Sequence, residues 1–261
     1  MQRLPYVPGC VLAGFFLAWS GQPISHLSWL MAGLATAASL LLAWVLELRL
    51  RSAPPTGLAI GPILEGLGDV LFVSIGALAS MAGEALNNRG NLADFRDQAA
   101  LVSPQLLWVW ISAIYLGSYI AATGLVSQRA KVNRSPGLVQ RRVGSLAWAP
   151  TIVASLGLGL VVVAFWRQGL STAGTWLTLW LIVWLVSRTL YFSNAVRNWS
   201  NPDWIDQVAG QMLRGVVLLQ GAVLTSLLPP LPGLAAFAIV FVLFPLTSLA
   251  QRKSTRNSQC K

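Results

Sequence analysis

Long apolar stretches alternate with short polar segments along the whole chain. A helix needs about 20 mostly apolar residues to cross the hydrocarbon core of a membrane. Eight stretches approach this length, and we predict that each forms a membrane-spanning helix. The predicted spans cover residues 6–22, 27–48, 58–83, 105–126, 147–166, 174–193, 209–229 and 233–250.

The composition agrees with lipid as the main solvent. Of the 261 residues, 55% are hydrophobic and 10% are charged, whereas a soluble domain carries about 25% charged residues. Polar groups this scarce do not cover a water-facing surface. We therefore predict an all-α, polytopic transmembrane bundle of eight or nine helices. Residues 1–261 form a single integral membrane domain, in which residues 251–261 are a basic cytoplasmic tail.

Positive charge is concentrated on one predicted side of the membrane. With the N-terminus placed in the cytoplasm, fifteen of the 18 Lys and Arg residues fall in cytoplasmic segments, and Arg188 and Arg214 are counted among them. The outer segments keep only Arg89, Arg96 and Arg167. Such a bias predicts a multi-pass protein with both termini in the cytoplasm. The net charge of +10 is expected to favour contact with anionic membrane lipids, and nucleic acid is not an expected partner.

Two of the few carboxylates lie inside a predicted span. Glu65 and Asp69 are four residues apart, which places them on one face of a helix. Ionisable groups at membrane depth are costly and are usually functional. The pair could hold Mg²⁺, a cation that prefers oxygen ligands. Alternatively, one of the two is protonated or paired with an arginine of a neighbouring helix and only stabilises the bundle.

A second carboxylate pair, Asp203 and Asp206, precedes the seventh predicted span on the same predicted side. The two residues either provide an N-terminal cap and first-turn charge for a helix or form a second metal-holding pair. The polar loop 84–97 falls on the opposite side and is interpreted as solvated. No GxSxG, HExxH or P-loop motif is present, so the catalytic residues stay unassigned.

Three parts of the chain resemble the UbiA-type prenyltransferase superfamily. Residues 3–8 (RLPYVP) with residues 11–14 (VLAG) are similar to the first helix of that family. Residues 51–57 (RSAPPTG) are similar to its RPxPSG segment after the second helix. Residues 208–216 (VAGQMLRGV), followed by residues 218–220 (LLQ), are similar to a late helix of some members.

The resemblance implies a UbiA-like helical bundle that transfers a prenyl chain from its diphosphate to a lipophilic acceptor. In the family, two Asp-rich cytoplasmic motifs bind Mg²⁺ and the diphosphate, and the metal neutralises the leaving group. Here the first motif is degenerate, since only Glu47 stands near its place, while Asp203 and Asp206 follow the sixth span, where the second motif is expected. On this hypothesis the metal ligands would be Glu65, Asp69, Asp203 and Asp206, and the diphosphate contacts would be Lys131, Arg134, Arg141 and Arg142.

Other interpretations stay open. The basic loop at 129–142 is also explained as a marker of the cytoplasmic side. A member that has lost catalysis, a non-enzymatic carrier and a partner subunit of a membrane complex all fit the same pattern. A carrier should show broken helices or an internal repeat; Pro62, Gly66 and Gly68 suit a broken helix, but no repeat is visible. Convergence of the four carboxylates on one cavity would favour the enzyme.

Overall fold

The computed structural model of the protein describes residues 7–18, 25–52, 60–89, 104–133, 143–169, 172–197 and 201–227, together with residues 231, 234 and 238. All regular secondary structure within these residues is helical. The helices are α1 (Val7–Ala18), α2 (His26–Ser52), α3 (Ile60–Arg89), α4 (Pro104–Asn133), α5 (Ala149–Leu156), α6 (Leu158–Gln168), α7 (Ala173–Arg197), α8 (Pro202–Leu213) and α9 (Gly215–Leu227), with a 3₁₀ turn at Gly144–Trp148 before α5.

Six helical segments are long and apolar enough to cross a membrane, which confirms an all-α, multi-pass membrane protein. They coincide with the predicted spans two to seven. Within the described residues, the first predicted span contains the 12-residue helix α1, whereas a crossing requires about 20 residues. Residues 6 and 19–22 of that span lie outside the described residues. The eighth, 233–250, lies almost entirely outside the described residues, so the count of eight or nine spans stays a prediction.

Helix α3 packs closely against its neighbours because the glycines at these interfaces have no side chain. A Cβ atom at Gly14 of α1 would overlap the backbone of Val73, and one at Gly76 would overlap the carbonyl of Val11. On the other side, Cβ atoms at Gly66 and Gly117 would each overlap the carbonyl oxygen of the other residue. Small residues of this kind let the backbones of membrane helices approach each other. Helix α3 therefore joins α1 to α4.

The contacts also fix the relative directions of the helices. Cys10 approaches Asp69, Gly14 contacts Val73 and Phe15 approaches Gly76, so α1 and α3 run in the same direction. Along α3 and α4 the pairs run oppositely, because Gly66 faces Gly117 whereas Pro62 faces Gly124. The pairing of Leu185 with Gly215 and of Thr178 with Thr225 makes α7 and α9 antiparallel. These directions agree with successive membrane crossings.

Two of the crossing segments are interrupted by a break. Residues 149–168 form two helices that meet at Gly157, where the Leu160 amide donates to the Gly157 carbonyl at 2.8 Å. Residues 202–227 likewise divide into α8 and α9 at Arg214, whose carbonyl accepts from the Val217 amide at 3.0 Å. Both bonds span three residues, as in a 3₁₀ turn, rather than the four of an α-helix.

Apolar side chains cover both the interior and the outside of the bundle. The interior contains Phe15, Leu116, Leu181, Leu185 and Leu219, all of which are almost fully buried. Large apolar side chains also point outward, and they include Leu34, Ile114, Leu156, Trp176 and Val183. An apolar outer surface of this extent suits a lipid environment rather than water. Most buried polar side chains of the described residues are serines and threonines, whereas Asp69, Arg214 and Gln220 bury a charged or amide group and mark candidate sites.

Candidate functional site

Two arginines from different helices meet inside the bundle. Arg188 of α7 donates from Nη2 to the Oε1 atom of Gln211 at 3.0 Å, and Arg214 donates from Nη1 to the same atom at 2.9 Å. Arg188 also contacts the carbonyl oxygen of Gln211 at 3.4 Å, and its guanidinium lies 5.0 Å from the centre of the Phe192 ring. We refer to Arg188, Gln211 and Arg214 as the arginine centre.

The local sequence explains how Gln211 of α8 and Arg214 come together. They are three residues apart, a spacing that brings side chains to the same side of a helical turn. Arg214 occupies the break between α8 and α9, and only 2% of it is exposed. Arg188 lies in the interior of α7, nine residues before that helix ends at Arg197, and is half-buried. Two guanidinium groups in an apolar interior are costly to desolvate, and such groups are usually retained for function.

A tyrosine fixes the backbone beside the arginine centre. The Tyr119 hydroxyl of α4 donates to the carbonyl oxygen of Met212 at 2.8 Å. Met212 lies between Gln211 and Arg214, and both Tyr119 and Met212 are fully buried. The break leaves carbonyl groups near Arg214 without the usual helical donor. Tyr119 supplies one such donor, and it thereby holds α8 against α4.

A second polar group lies further along the bundle. The thiol of Cys10 on α1 is 4.0 Å from Oδ1 of Asp69 on α3, and it accepts a hydrogen bond from Nε2 of Gln220 on α9 at 3.2 Å. All three residues are buried. Gly9 leaves the space that the Gln220 amide occupies, because a Cβ atom there would overlap that amide. We refer to Cys10, Asp69 and Gln220 as the thiol cluster.

Glu65 and Asp69 lie at the levels of these two groups along the bundle. Gly66 packs on Gly117, and Tyr119, two residues further along α4, bonds to Met212, so Glu65 lies at about the same level of the bundle as the arginine centre. Gln220 follows Arg214 by six residues, which corresponds to about 9 Å along a helix, and Asp69 lies at that second level. Asp69 is buried and Glu65 is half-buried.

The second predicted carboxylate pair belongs to the first half of α8. Asn201 caps this helix, since its side-chain oxygen accepts from the Trp204 amide at 3.4 Å and its carbonyl accepts from the Ile205 amide at 3.1 Å. Asp203 is therefore in the first turn, and Asp206 precedes Gln211 by five residues. The side chains of both aspartates lie outside the described residues.

The basic loop and the start of α8 share one end of the bundle. A small apolar cluster there includes Val126 of α4, Val143 before α5 and Ile205 of α8. The cluster joins both flanks of the loop to the helix that carries Asp203 and Asp206. Lys131 lies in the last turn of α4, but its side chain and residues 134, 141 and 142 are outside the described residues.

A metal centre is not assembled by the described side chains alone. Among them, no three His, Cys, Asp or Glu side chains are placed to hold a metal ion. Glu65 and Asp69 supply the hard oxygen donors that Mg²⁺ prefers, so the chemistry of these donors suits the ion. The convergence of all four predicted ligands stays a prediction, because the side chains of Asp203 and Asp206 lie outside the described residues.

The arginine centre was missed because the sequence analysis sorted positive charges by side of the membrane alone. Arg188 and Arg214 were counted with the cytoplasmic segments, whereas the structure places both within segments long and apolar enough to cross a membrane, with Arg214 buried. A signal was present, since both residues fall inside predicted spans. Gln211 and Tyr119 carry no charge and gave no comparable signal.

Comparison with known proteins adds no name to these observations. No family model matches the chain, and no curated protein or solved structure is significantly similar to it.

Proposed function

We propose that the protein is a UbiA-like membrane enzyme that binds a polyprenyl diphosphate and transfers its prenyl chain to a lipophilic acceptor, with Mg²⁺ as cofactor. The observation that carries this proposal is the arginine centre. It brings two guanidinium groups to one oxygen atom inside an apolar helix bundle. An amphiphile with an anionic head and a long apolar tail has the chemistry that such a site would recognise.

Guanidinium groups suit this role because their planar donors match phosphate oxygens in pairs. Their attraction for an anion is also stronger in an apolar interior than in water. Arg188 and Arg214 already point donors at a neutral oxygen, Gln211 Oε1. In our proposal, diphosphate oxygens approach the same two side chains, and the surrounding apolar bundle takes the prenyl tail.

The reaction breaks the bond between the allylic carbon and the diphosphate oxygen, and the diphosphate leaves with the electron pair. The acceptor forms the new bond to that carbon and releases a proton to water or to a nearby base. Arg188 and Arg214 stabilise the charge on the leaving group, while the apolar bundle shields the allylic cation from water.

In this proposal Glu65, Asp69, Asp203 and Asp206 hold the metal, and Lys131, Arg134, Arg141 and Arg142 contact the diphosphate from the basic loop. Mg²⁺, when bound, neutralises charge on the diphosphate. The position of Glu65 at the level of the arginine centre supports this assignment. So does the shared end of the bundle at which the basic loop and α8 meet.

The proposed site also suits a definite topology. We infer eight spans with both termini in the cytoplasm, and with residues 251–261 as a basic tail. The end at which the basic loop meets α8 then faces the cytoplasm, where soluble diphosphate and Mg²⁺ are available. The bias of Lys and Arg supports this orientation even without Arg188 and Arg214.

The experiment is a transfer assay on the purified protein. Labelled prenyl diphosphates of several chain lengths are incubated with a mixed lipid extract, with and without Mg²⁺. We expect a labelled lipophilic product that is lost when Glu65 and Asp69 are both changed to alanine, and when Arg188 and Arg214 are both changed to glutamine. Glu84→Ala, near the other end of α3, and Arg197→Gln, at the exposed end of α7, are the matched controls.

Unchanged turnover by the Glu65→Ala/Asp69→Ala variant would remove the metal assignment. Unchanged turnover by the double arginine variant would remove the arginine centre from the site. A lack of transfer with every prenyl diphosphate, in a protein that is folded and monodisperse, would contradict the enzyme proposal as a whole.

One observation favours a carrier as the second candidate. The breaks at Gly157 and Arg214 interrupt two crossing segments, and interrupted helices are typical of carriers for anionic substrates. Reconstituted liposomes distinguish the two functions. A carrier would exchange a labelled prenyl phosphate across the bilayer without any change in its covalent structure, whereas an enzyme would release diphosphate.

A further inference from the structure

The two helix breaks are built in the same way, and both contact α4. Tyr119 donates its hydroxyl to the carbonyl of Met212 at 2.8 Å, and Met212 precedes Gly215 by three residues. One turn earlier on α4, Tyr115 donates to the carbonyl of Ala154 at 2.9 Å, and Ala154 precedes Gly157 by three residues. In each break, the carbonyl that accepts from the tyrosine therefore lies three residues before a glycine.

The glycines complete this arrangement by their lack of a side chain. A Cβ atom at Gly215 would overlap the hydroxyl oxygen of Tyr119, and one at Gly157 would overlap that of Tyr115. Gly157 has a φ of −61°, and Gly215 does not have a positive φ either. Their role is therefore to leave room for the hydroxyl group rather than to permit an unusual backbone conformation.

The hydrogen bonds have a clear physical purpose. A break in a membrane helix leaves carbonyl groups in need of a donor, and no water is present in the hydrocarbon region to supply one. Each tyrosine hydroxyl donates to one carbonyl from within the bundle, and the Ala154 carbonyl also accepts from the Gly157 amide at 3.0 Å. Both tyrosines are buried, and they are four residues apart on one face of α4.

We propose that Tyr115 and Tyr119 form a two-residue latch on α4 that holds both breaks in one conformation, and that Tyr119 is thereby a positioning residue for Arg214. Arg214 lies between Met212, which Tyr119 holds, and Gly215, on which the hydroxyl packs. The state of the latch sets the angle between α8 and α9 and so the position of the Arg214 guanidinium. This inference does not rest on the proposed reaction.

Hydrogen exchange of the purified protein without substrate tests the latch. The variants are Tyr115→Phe, Tyr119→Phe and the double variant, and each removes a single oxygen atom per site. Tyr191→Phe is the matched control, because Tyr191 lies on the exposed face of α7. Loss of one hydrogen bond should speed exchange at the affected break roughly two- to tenfold.

For a shared latch, each single variant should raise exchange in both residues 156–161 and residues 214–218, and the control should change neither. If each variant affects only its own break, the two hydrogen bonds are independent and the latch is overturned. If exchange changes at neither break, the tyrosines do not hold the breaks at all.

A thermal-stability cycle gives a second, independent test. Gly215→Ala should lower the melting temperature in the native sequence, because the methyl group meets the Tyr119 hydroxyl. The loss should be smaller in the Tyr119→Phe background, where that oxygen is absent. The flexible end of Leu185, at 2.6 Å from the added Cβ, and the ring carbon Cζ of residue 119, at 3.1 Å, then remain close. Equal losses in the two backgrounds would contradict the packing on which the latch depends.

Discussion

Arg188 of α7 and Arg214 at the break between α8 and α9 both donate to one atom, Oε1 of Gln211, at 3.0 and 2.9 Å. Two guanidinium groups brought to one point of an apolar interior are costly to desolvate, and their donors suit the oxygens of an anion. The relationship therefore links stability to binding at a single residue.

Replacement of Gln211 by glutamate should change the stability of the protein and its binding of an anion in opposite directions. The new carboxylate accepts charge-assisted hydrogen bonds from both arginines, which should increase the free energy of unfolding by about 1–3 kcal/mol. The same charge occupies the position of the anionic head, so prenyl diphosphate should bind at least about tenfold more weakly, or about 1.4 kcal/mol. Thermal melting and ligand-induced shifts of the melting temperature measure both quantities.

Gln207→Glu is the control for this change, because Gln207 is exposed one turn earlier on the same helix. It should alter neither quantity appreciably. A Gln211→Glu protein that melts at a lower temperature than the native chain would show that the arginines are already neutralised by other groups, and the proposed anion site would then be wrong.

The contact between Gly66 and Gly117 makes a separate prediction about stability. Gly66→Ala should reduce the free energy of unfolding by about 1–3 kcal/mol, because the added methyl group overlaps the Gly117 carbonyl and separates α3 from α4. Gly33→Ala should be neutral or slightly stabilising, since a Cβ atom at Gly33 meets nothing within 4 Å. Chemical or thermal unfolding in detergent compares the two variants.

Equal stability of the Gly66→Ala and Gly33→Ala proteins would contradict the close α3–α4 packing. The comparison also bears on function, because α3 carries Glu65 and Asp69. A shift of α3 away from α4 should reduce transfer in the Gly66→Ala variant even though no polar group has been removed.

The apolar helices could be predicted from sequence, but the polar side chains that meet inside the bundle could be predicted only in part. Spans two to seven were correct because long apolar segments are a local property of the chain. Glu65 and Asp69 were also recognised locally, since carboxylates inside an apolar span are conspicuous. The meeting of Arg188 and Arg214 in the interior was not predicted, because the distribution of charge between loops carries no information on depth.

The breaks illustrate a different limit. Gly157 and Gly215 each look like an ordinary helix glycine in the sequence, and their significance depends on Tyr115 and Tyr119. These partners are 42 and 96 residues distant along the chain. The pairing of Gly66 with Gly117 is likewise a tertiary property. No pattern within a single span identifies which glycine leaves room for a hydroxyl group or a backbone of a neighbouring helix.

The burial of Cys10 predicts how the thiol should react. The chain has only two cysteines, so a Cys260→Ser variant leaves Cys10 as the single thiol. Cys10 is 0% exposed and accepts a hydrogen bond from Gln220. A water-soluble maleimide should therefore modify it at least about tenfold more slowly in the folded protein than after unfolding in denaturant, as measured by mass spectrometry. Rapid modification of the folded protein would contradict the packing of α1 against α3 and α9.

The predicted topology has its own consequence for the two ends of the chain. If both termini are cytoplasmic, a protease added to intact cells should spare an epitope tag at either end, and the same protease should remove both tags from inside-out membrane vesicles. A third tag inserted after Gly169, between α6 and α7, should show the opposite accessibility, because the sixth predicted span separates this turn from the cytoplasmic side. One tag that is cleaved in cells while the other is protected would require an odd number of crossings. It would place the basic loop and the first turn of α8 on opposite sides of the membrane only if the change in the number of crossings lies between residues 142 and 202. A helix α1 that does not cross would leave them on the same side.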